Sequence, residues 1–184
     1  MFLMAIAFSL FTLSSSILAQ PRGILNQKAP DLEVKQWLQL PDGKKSLELT
    51  DLNGKVVYLF CFQSWCPGCH AYGFPTLQKV IEQYKGDPDV AFVAVQTTFE
   101  GFSSNGVRQA REVARKYNLA IPIGQSGARG ERSQLMRNYR TGGTPWTIII
   151  DKEGVVRYND FHISPESAIQ LIGNLKKSPT RSKS

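Results

Sequence analysis

The stretch that decides the fold is VVYLFCFQSWCPGCH, residues 56–70. Its first seven residues are all apolar, and the turn sequence Asn53-Gly54 precedes them. A short continuous apolar run between turn signals is typical of a central strand that is buried on both faces. Helical spacing of apolar residues follows over 69–85, where Gly73 and Pro75 are expected to kink the first half. The stretch therefore predicts a buried strand that ends just before two cysteines, where a helix begins.

The segments on either side of this stretch alternate between strand and helix patterns. Period-2 or continuous apolar runs predict strands at 90–95, 121–123, 147–150 and 155–158, and residues 47–52 are predicted as a short edge element. Apolar residues at helical spacing predict helices at 107–117, at 131–139 and from Pro165 onward, with Ser164 as N-cap. This order predicts an α/β domain with a mixed sheet.

Length and composition narrow the class of protein. A chain of 184 residues that is 42% hydrophobic fits one domain and is too apolar for a disordered chain. Three cysteines are too few for a disulfide scaffold. The net charge of +7 is uneven, with +6 over residues 103–143 and +4 over 176–184. We therefore predict a domain over 20–177 and a basic disordered tail over 178–184, and nothing indicates nucleic-acid binding.

The N-terminal residues have the pattern of a targeting segment. Residues 1–19 carry no charged side chain, and 14 of them are apolar. A run this short, ending in a small residue before a polar turn, is typical of a secretory signal peptide, here cleaved near Ala19. The absence of Lys and Arg at its start leaves an uncleaved membrane anchor open. The pattern predicts export to the periplasm, an oxidising compartment in which cysteines are normally paired.

The chemistry of the chain is concentrated in Cys66-Pro67-Gly68-Cys69-His70. A thiol at a helix N-terminus faces unpaired backbone N–H groups, which favour the thiolate. Two residues between cysteines let the second sulfur attack a mixed disulfide formed by the first, so that the pair cycles between dithiol and disulfide. Position in the helix predicts Cys66 as the exposed nucleophile and Cys69 as the resolving thiol.

Other interpretations of the cysteines stay open at this point. They could form a structural disulfide, as exported proteins often do. Cys66-x-x-Cys69-His70 also matches the attachment motif of a c-type haem, with His70 as axial ligand, although the chain is rich in strands and Met136 is the only remaining methionine after the leader. A structural zinc site requires about four ligands, which three Cys and two His supply poorly. We expect no metal and no cofactor.

The sequence resembles the thioredoxin superfamily. A C-x-x-C between a hydrophobic strand and a helix is followed, some 75 residues later, by Gly142-Gly143-Thr144-Pro145-Trp146 and a hairpin. The leader, the segment 29–32 and the segment 51–57 are similar to the exported TlpA/ResA-like branch, and the similarity runs from about residue 28 to 177. It implies a thioredoxin-like three-layer α/β fold, in which helices flank a central mixed sheet, with an N-terminal extension and a strand/helix insertion. It also implies a cis peptide at Thr144-Pro145 beside the cysteines.

The same resemblance assigns further residues and exposes departures. Trp65, Pro67, Thr144 and Pro145 are expected to contact substrate, and core packing is the alternative for Trp65. Phe60 and Tyr72 occupy positions where thioredoxin and ResA-like proteins carry an acid, so the acid–base helper of Cys69 is not where the family has it. His70 either tunes the pKa of Cys66 or is a solvated residue of the first turn, and the solvated reading is slightly favoured. Cys61, inside the buried strand, is interpreted as a core-packing residue, and a third redox thiol is the alternative.

These features predict a thiol–disulfide oxidoreductase that acts on protein disulfides, more as a reductase than as an oxidase. Its partners would be protein disulfide or dithiol substrates and an upstream thiol electron donor, with membrane contact only through an uncleaved leader. The alternative enzyme is a thiol peroxidase, but peroxiredoxins carry a Thr three residues before the nucleophile, where this chain has Gln63. The alternative from another class is the c-type cytochrome.

Overall fold

A six-stranded mixed sheet forms the centre of the computed structural model, which describes residues 22–41 and 43–178. The predicted signal peptide, and the predicted tail from residue 179 onward, lie outside the described residues. The elements in chain order are β1 (Gln36–Gln39), a 3-10 turn (Leu49–Leu52), β2 (Val56–Phe62), a π-helical turn (Cys69–Gly73), α1 (Phe74–Gln83), β3 (Val90–Thr97), α2 (Val107–Lys116), β4 (Ile123–Ser126), α3 (Gln134–Tyr139), β5 (Trp146–Ile150), β6 (Val156–Asp160) and α4 (Pro165–Lys177).

The sheet has the strand order β1-β4-β3-β2-β5-β6. Strands β2, β3 and β4 are parallel, whereas β5 is antiparallel to β2, β6 to β5 and β1 to β4. The antiparallel pairing of β2 with β5 brings two loops together. Because Cys61 lies opposite Trp146, the chain that leaves β2 and the chain that enters β5 meet at the same edge of the sheet.

Strand β2 divides the hydrophobic core into two layers. All seven of its residues are buried, which agrees with the predicted central strand. Tyr58 and Phe60 face a cluster formed with α1, α2 and α4. Val57, Leu59 and Cys61 face a second cluster formed with the N-terminal segment and α3. The result is the predicted three-layer α/β fold with an N-terminal extension and, in α2–β4–α3, an insertion.

The outer strands of the sheet differ from the sequence-based prediction. Residues 47–52 do not form a sheet edge, because Asp51 accepts a hydrogen bond from the backbone N–H of Glu48 at 2.9 Å and the segment winds into the 3-10 turn. The predicted strand at 121–123 instead begins at Ile123 and continues through Gln125 and Ser126. The polar side chains of Gln125 and Ser126 are buried and hydrogen-bonded, so this strand lacks the apolar pattern by which strands are predicted. The unpredicted strand β1 pairs with it at the outer edge.

The predicted irregularity at Gly73 is the π-helical turn, in which the N–H of Phe74 bonds to the carbonyl of Cys69, five residues back. A Cβ on Gly73 would lie 2.6 Å from Cζ of Phe60 and 3.0 Å from Cβ of Pro145. The helix can therefore approach the sheet and the 144–145 loop only with glycine here. Among the described residues, no helix combines the length and the apolar composition needed to cross a membrane.

We expect Gly73→Ala to lower the free energy of unfolding by about 1–3 kcal/mol, because the methyl group overpacks a rigid contact with Phe60. Gly173→Ala is the matched control, since the nearest atom to its added Cβ is the Tyr84 hydroxyl at an ordinary 3.4 Å. Because Gly173 lies inside α4, its replacement by alanine should raise the free energy of unfolding by about 0.5–1 kcal/mol. Urea denaturation measures both values, and equal effects of the two substitutions would contradict this account.

Candidate active site

The two cysteines lie where β2 passes into the helix, facing the loop that enters β5. All three cysteines of the chain are free thiols. Cys66 Sγ accepts a hydrogen bond from the backbone N–H of Cys69 at 3.2 Å and lies 3.4 Å from the carbonyl oxygen of Thr144, to which the thiol can donate. The sulfur of the first cysteine is thus held by the helix on one side and by the loop on the other.

Cys66 is less accessible than its position suggested. The residue is only 7% exposed, and Cys69 is fully buried. The prediction of an exposed Cys66 is wrong because the loop packs onto the first helical turn: a Cβ on Gly68 would lie 3.2 Å from Cδ of Pro145. The peptide bond between Thr144 and Pro145 is cis. The structure therefore brings Thr144 and Pro145 to the cysteine pair.

Hydrogen bonding makes Cys66 an acidic thiol. The thiol hydrogen bond from Cys69 lowers its pKa most, and the Thr144 side chain and the backbone N–H groups of Cys69 and Gly68 lower it further, against the opposing effect of burial. The pKa falls from 9.0 to about 6. A thiol with a pKa below neutral is mostly thiolate at pH 7, and the thiolate is the form that attacks disulfides.

Cys69 is shifted in the opposite direction. Burial raises its pKa well above the ordinary value, and the hydrogen bond and charge of Cys66 raise it further. The backbone N–H of Gln63 and the Thr144 side chain partly offset this. The cysteine pair therefore consists of one ionised and one protonated sulfur.

Phe60 and Tyr72 occupy the two positions where an acid was expected from the family. Phe60 packs edge-on against Phe74, with ring centroids 5.2 Å apart, and Tyr72 is 63% exposed.

His70 is not a solvated residue of the first turn, which corrects the favoured reading. Its Nε2 lies 2.8 Å from the carbonyl oxygen of Ser64, and its Nδ1 lies 2.7 Å from the Tyr117 hydroxyl. A carbonyl only accepts, so Nε2 carries a proton and donates it. Both ring nitrogens are thus engaged away from Cys66. The ring fixes the 64–66 loop to the end of α2 and acts as a positioning residue.

A buried amide cluster that the sequence analysis missed supports the same loop. We call Gln63, Gln96, Asn105 and Gln125 the amide cluster. The Ser64 N–H donates to Asn105 Oδ1 at 2.8 Å and to Gln96 Oε1 at 3.1 Å. Asn105 Nδ2 donates to Gln63 Oε1 at 2.7 Å, and Gln96 Nε2 to Gln125 Oε1 at 2.7 Å. In the sequence, polar residues near the ends of three neighbouring strands could have indicated this cluster.

Trp65 and Pro67 are exposed on either side of Cys66 in the chain. Trp65 is 46% exposed, and its Nε1 donates to Gln63 Oε1 at 2.9 Å. This tether orients the indole at the surface rather than in the core. The four residues expected to contact substrate therefore lie around Cys66, with Trp65 and Pro67 in the 65–67 segment and Thr144 and Pro145 in the opposite loop.

Cys61 lies apart from the pair. It is fully buried in the second core cluster, on the opposite face of β2, and burial raises its pKa. Its surroundings are those of a packing residue. Across residues 22–41 and 43–178, no three His, Cys, Asp or Glu side chains are grouped as metal ligands would be.

The origin of the acidic thiol can be tested with two substitutions of Cys69. In the wild type, the rate of Cys66 alkylation by iodoacetamide should rise with pH through a midpoint near 6. Cys69→Ala removes the largest cause and should move the midpoint upward, whereas Cys69→Ser keeps a hydroxyl donor and should move it less. Mass spectrometry of the alkylated peptide measures the rate, and Cys66→Ala is the blank. A midpoint that is the same in all three thiol-bearing proteins would contradict the assignment.

Comparisons with known proteins agree with this architecture. A model of the AhpC/TSA family matches residues 25–159. Thiol-disulfide oxidoreductase ResA of Bacillus thuringiensis (strain Al Hakam) is 27% identical over 168 residues, which cover 91% of this chain and 86% of that protein.

Solved structures give the same result. The crystal structure of a thioredoxin-like superfamily protein aligns with a TM-score of 0.75 at 31% identity, over 83% of this chain and 97% of that one. A thiol-disulfide isomerase from Corynebacterium glutamicum aligns with a TM-score of 0.71 at 26% identity, over 82% and 98% of the two chains. The predicted fold and superfamily are confirmed: the chain belongs to the AhpC/TSA family and is a TlpA/ResA-like member of the thioredoxin superfamily.

Proposed function

We propose that this protein is a thiol–disulfide oxidoreductase that cycles Cys66 and Cys69 between dithiol and disulfide on protein substrates, as a reductase outside the cytoplasm. The observation that carries the proposal is the split in acidity between neighbouring sulfurs, with the pKa of Cys66 lowered to about 6 and that of Cys69 raised. Relatives named thiol-disulfide oxidoreductase and thiol-disulfide isomerase support the same class of enzyme.

The reaction begins with the Cys66 thiolate. It attacks one sulfur of a substrate disulfide, so that a Cys66–substrate bond forms and the other substrate sulfur leaves as a thiolate, which takes up a proton from water. Cys69 then loses its proton and attacks Cys66 Sγ. The second substrate thiolate leaves and is protonated in turn. The substrate has gained two electrons and two protons, which an upstream dithiol must return to the Cys66–Cys69 disulfide.

The resolving step is helped by the first step. The hydrogen bond and charge of Cys66 raise the pKa of Cys69 in the free enzyme. Both disappear once Cys66 is bonded to substrate, because a disulfide sulfur carries no charge. The backbone N–H of Gln63 remains to stabilise the Cys69 thiolate. The covalent intermediate thus lowers the pKa of the thiol that breaks it, which offsets the lack of an acid at the positions of Phe60 and Tyr72.

The acidity of Cys66 bears on the proposed direction of electron flow. A stabilised thiolate stabilises the reduced enzyme, and the strong oxidant DsbA has a nucleophile pKa of about 3.5, against about 7 in thioredoxin. The value of about 6 for Cys66 is nearer to that of the reductant. This supports the reductase assignment.

The setting outside the cytoplasm rests on the leader pattern of residues 1–19. Intact mass of the protein recovered from the periplasmic fraction tests it directly. A chain shortened by about 19 residues is expected, and a full-length chain in the membrane fraction would establish an uncleaved anchor instead.

The site also bears on the alternatives. For a haem protein, both ring nitrogens of His70 are engaged, by Ser64 and Tyr117, which opposes its use as an axial ligand. For a peroxidase, the residue three positions before Cys66 is Gln63, whose Oε1 already accepts hydrogen bonds from Trp65 and Asn105.

The proposed function predicts acceleration of insulin-disulfide reduction by dithiothreitol, followed as turbidity. Cys66→Ser should lower the catalysed rate at least about 100-fold, because it removes the nucleophile. Cys61→Ala is the matched control and should retain the rate, since Cys61 lies on the opposite face of β2.

Equal rates for wild type and Cys66→Ser would contradict the proposal. A peroxide-consuming activity that survives in Cys69→Ser would favour the peroxidase instead, because a disulfide reductase needs its resolving thiol. In cells, Cys69→Ser should accumulate mixed disulfides, whose mass spectra identify the substrates.

A further inference from the structure

A concave surface lies at the loop that leads into β5. It is a cleft of about 390 Å³ between the N-terminal segment, the Phe99 loop and α3. Four arginines line it: Arg22, Arg132, Arg137 and Arg140. We refer to these four residues and the space between them as the basic cleft.

The arginines of the basic cleft have no acidic partners in the described part of the chain. All four are exposed, and none lies within 4.0 Å of a carboxylate of residues 22–41 or 43–178, whereas Arg108 and Arg157 on other surfaces pair with Glu112 and Asp151. Four converging positive charges repel one another and concentrate anions from solution. The charge of this surface therefore fits a negatively charged ligand.

The cleft is built into the fold. The backbone N–H of Gly23 donates to the carbonyl of Arg140 at 2.9 Å, which fixes the segment bearing Arg22 to the end of α3. A Cβ on Gly142 would lie 2.8 Å from Cδ of Arg22. The Arg22 side chain therefore packs directly against the backbone that leads into the 144–145 loop.

The basic cleft is close to the reacting sulfur. Gly142 lines the cleft, and Thr144, two residues later, has its carbonyl oxygen 3.4 Å from Cys66 Sγ. Two residues of chain span at most about 7 Å. An extended polypeptide advances about 3.3 Å per residue. An extended substrate whose sulfur is at Cys66 would therefore reach the Gly142 end of the cleft within a few residues of its cysteine.

We propose that the basic cleft binds Asp and Glu side chains of the substrate polypeptide, a few residues from the cysteine that Cys66 attacks. The inference rests on the proposed function and adds the substrate class: disulfides flanked by acidic residues. Guanidinium groups bind carboxylates in a bidentate geometry that suits this role. Phe99 and Met136, which also line the cleft, would contact the aliphatic stems of those acidic residues. Such mixed lining favours a polypeptide over a phosphate-rich surface.

Two matched peptides test the assignment. Each contains one intramolecular disulfide, and they differ only in carrying Glu or Gln at the positions two to four residues from the attacked cysteine. The enzyme is reduced, freed of excess reductant and mixed with either peptide, whose disulfide then oxidises the Cys66–Cys69 dithiol in a single turnover. Quenching with acid and mass spectrometry gives the second-order rate constant.

The Glu peptide should react about three- to tenfold faster than the Gln peptide at low salt, because several exposed ion pairs each contribute modestly. The ratio should approach one in 1 M NaCl, where the screening length is about 3 Å. The double variant R132Q/R137Q should lose the preference for Glu. The control K79Q/R115Q removes the same charge from α1 and α2 and should keep both the preference and the rate.

The outcomes distinguish failure of the proposed function from failure of the basic cleft assignment. If the reduced enzyme reacts with neither peptide, the proposed function fails. If it reacts with both peptides equally at low salt, or if R132Q/R137Q keeps the preference, the basic cleft assignment is wrong and the proposed function stands. If R132Q/R137Q instead abolishes binding to phosphatidylglycerol vesicles and leaves the peptide ratio unchanged, the cleft serves a membrane surface and the assignment is overturned.

Discussion

The contact between the Thr144 carbonyl oxygen and Cys66 Sγ depends on how closely two backbone segments can approach. Antiparallel pairing of β2 and β5 delivers both segments to one edge of the sheet. Gly68 and Gly73 then let Pro145 pack directly on the helix, where any larger residue would meet its ring. The burial of Cys66 and the position of Thr144 and Pro145 against its sulfur follow from this close approach.

The asymmetry of the two thiols comes from their positions along the helix. Near the helix N-terminus, Cys66 lies within reach of backbone N–H groups, whereas Cys69, one turn further in, is surrounded by apolar side chains. A few ångströms of displacement along one helix thus give two chemically identical thiols pKa values that are shifted in opposite directions. Rigid support below the loop, from His70 and the amide cluster, keeps that displacement fixed.

Much of this arrangement could be predicted from sequence because it rests on short-range patterns. The run of apolar residues in β2 determined the central strand, and the spacing of Cys66 and Cys69 identified the pair. What could not be predicted depends on long-range contacts. The exposure of Cys66 is set by a loop 78 residues away, the environment of His70 by Tyr117, and the burial of Gln125 by amides of other segments. Polar residues buried by mutual hydrogen bonds look like surface residues in a hydropathy pattern.

The position of Cys61 has a consequence for which disulfides the chain can form. Three thiols can form three different disulfides, of which the proposed function uses one, Cys66–Cys69. Cys61 packs in one core layer and the pair in the other, so that the sheet itself separates them. Mispairing would require β2 to leave the sheet, and a fully buried central strand opens only in the globally unfolded molecule. The stability of the whole fold is therefore also the barrier that keeps Cys61 from pairing with Cys66 or Cys69.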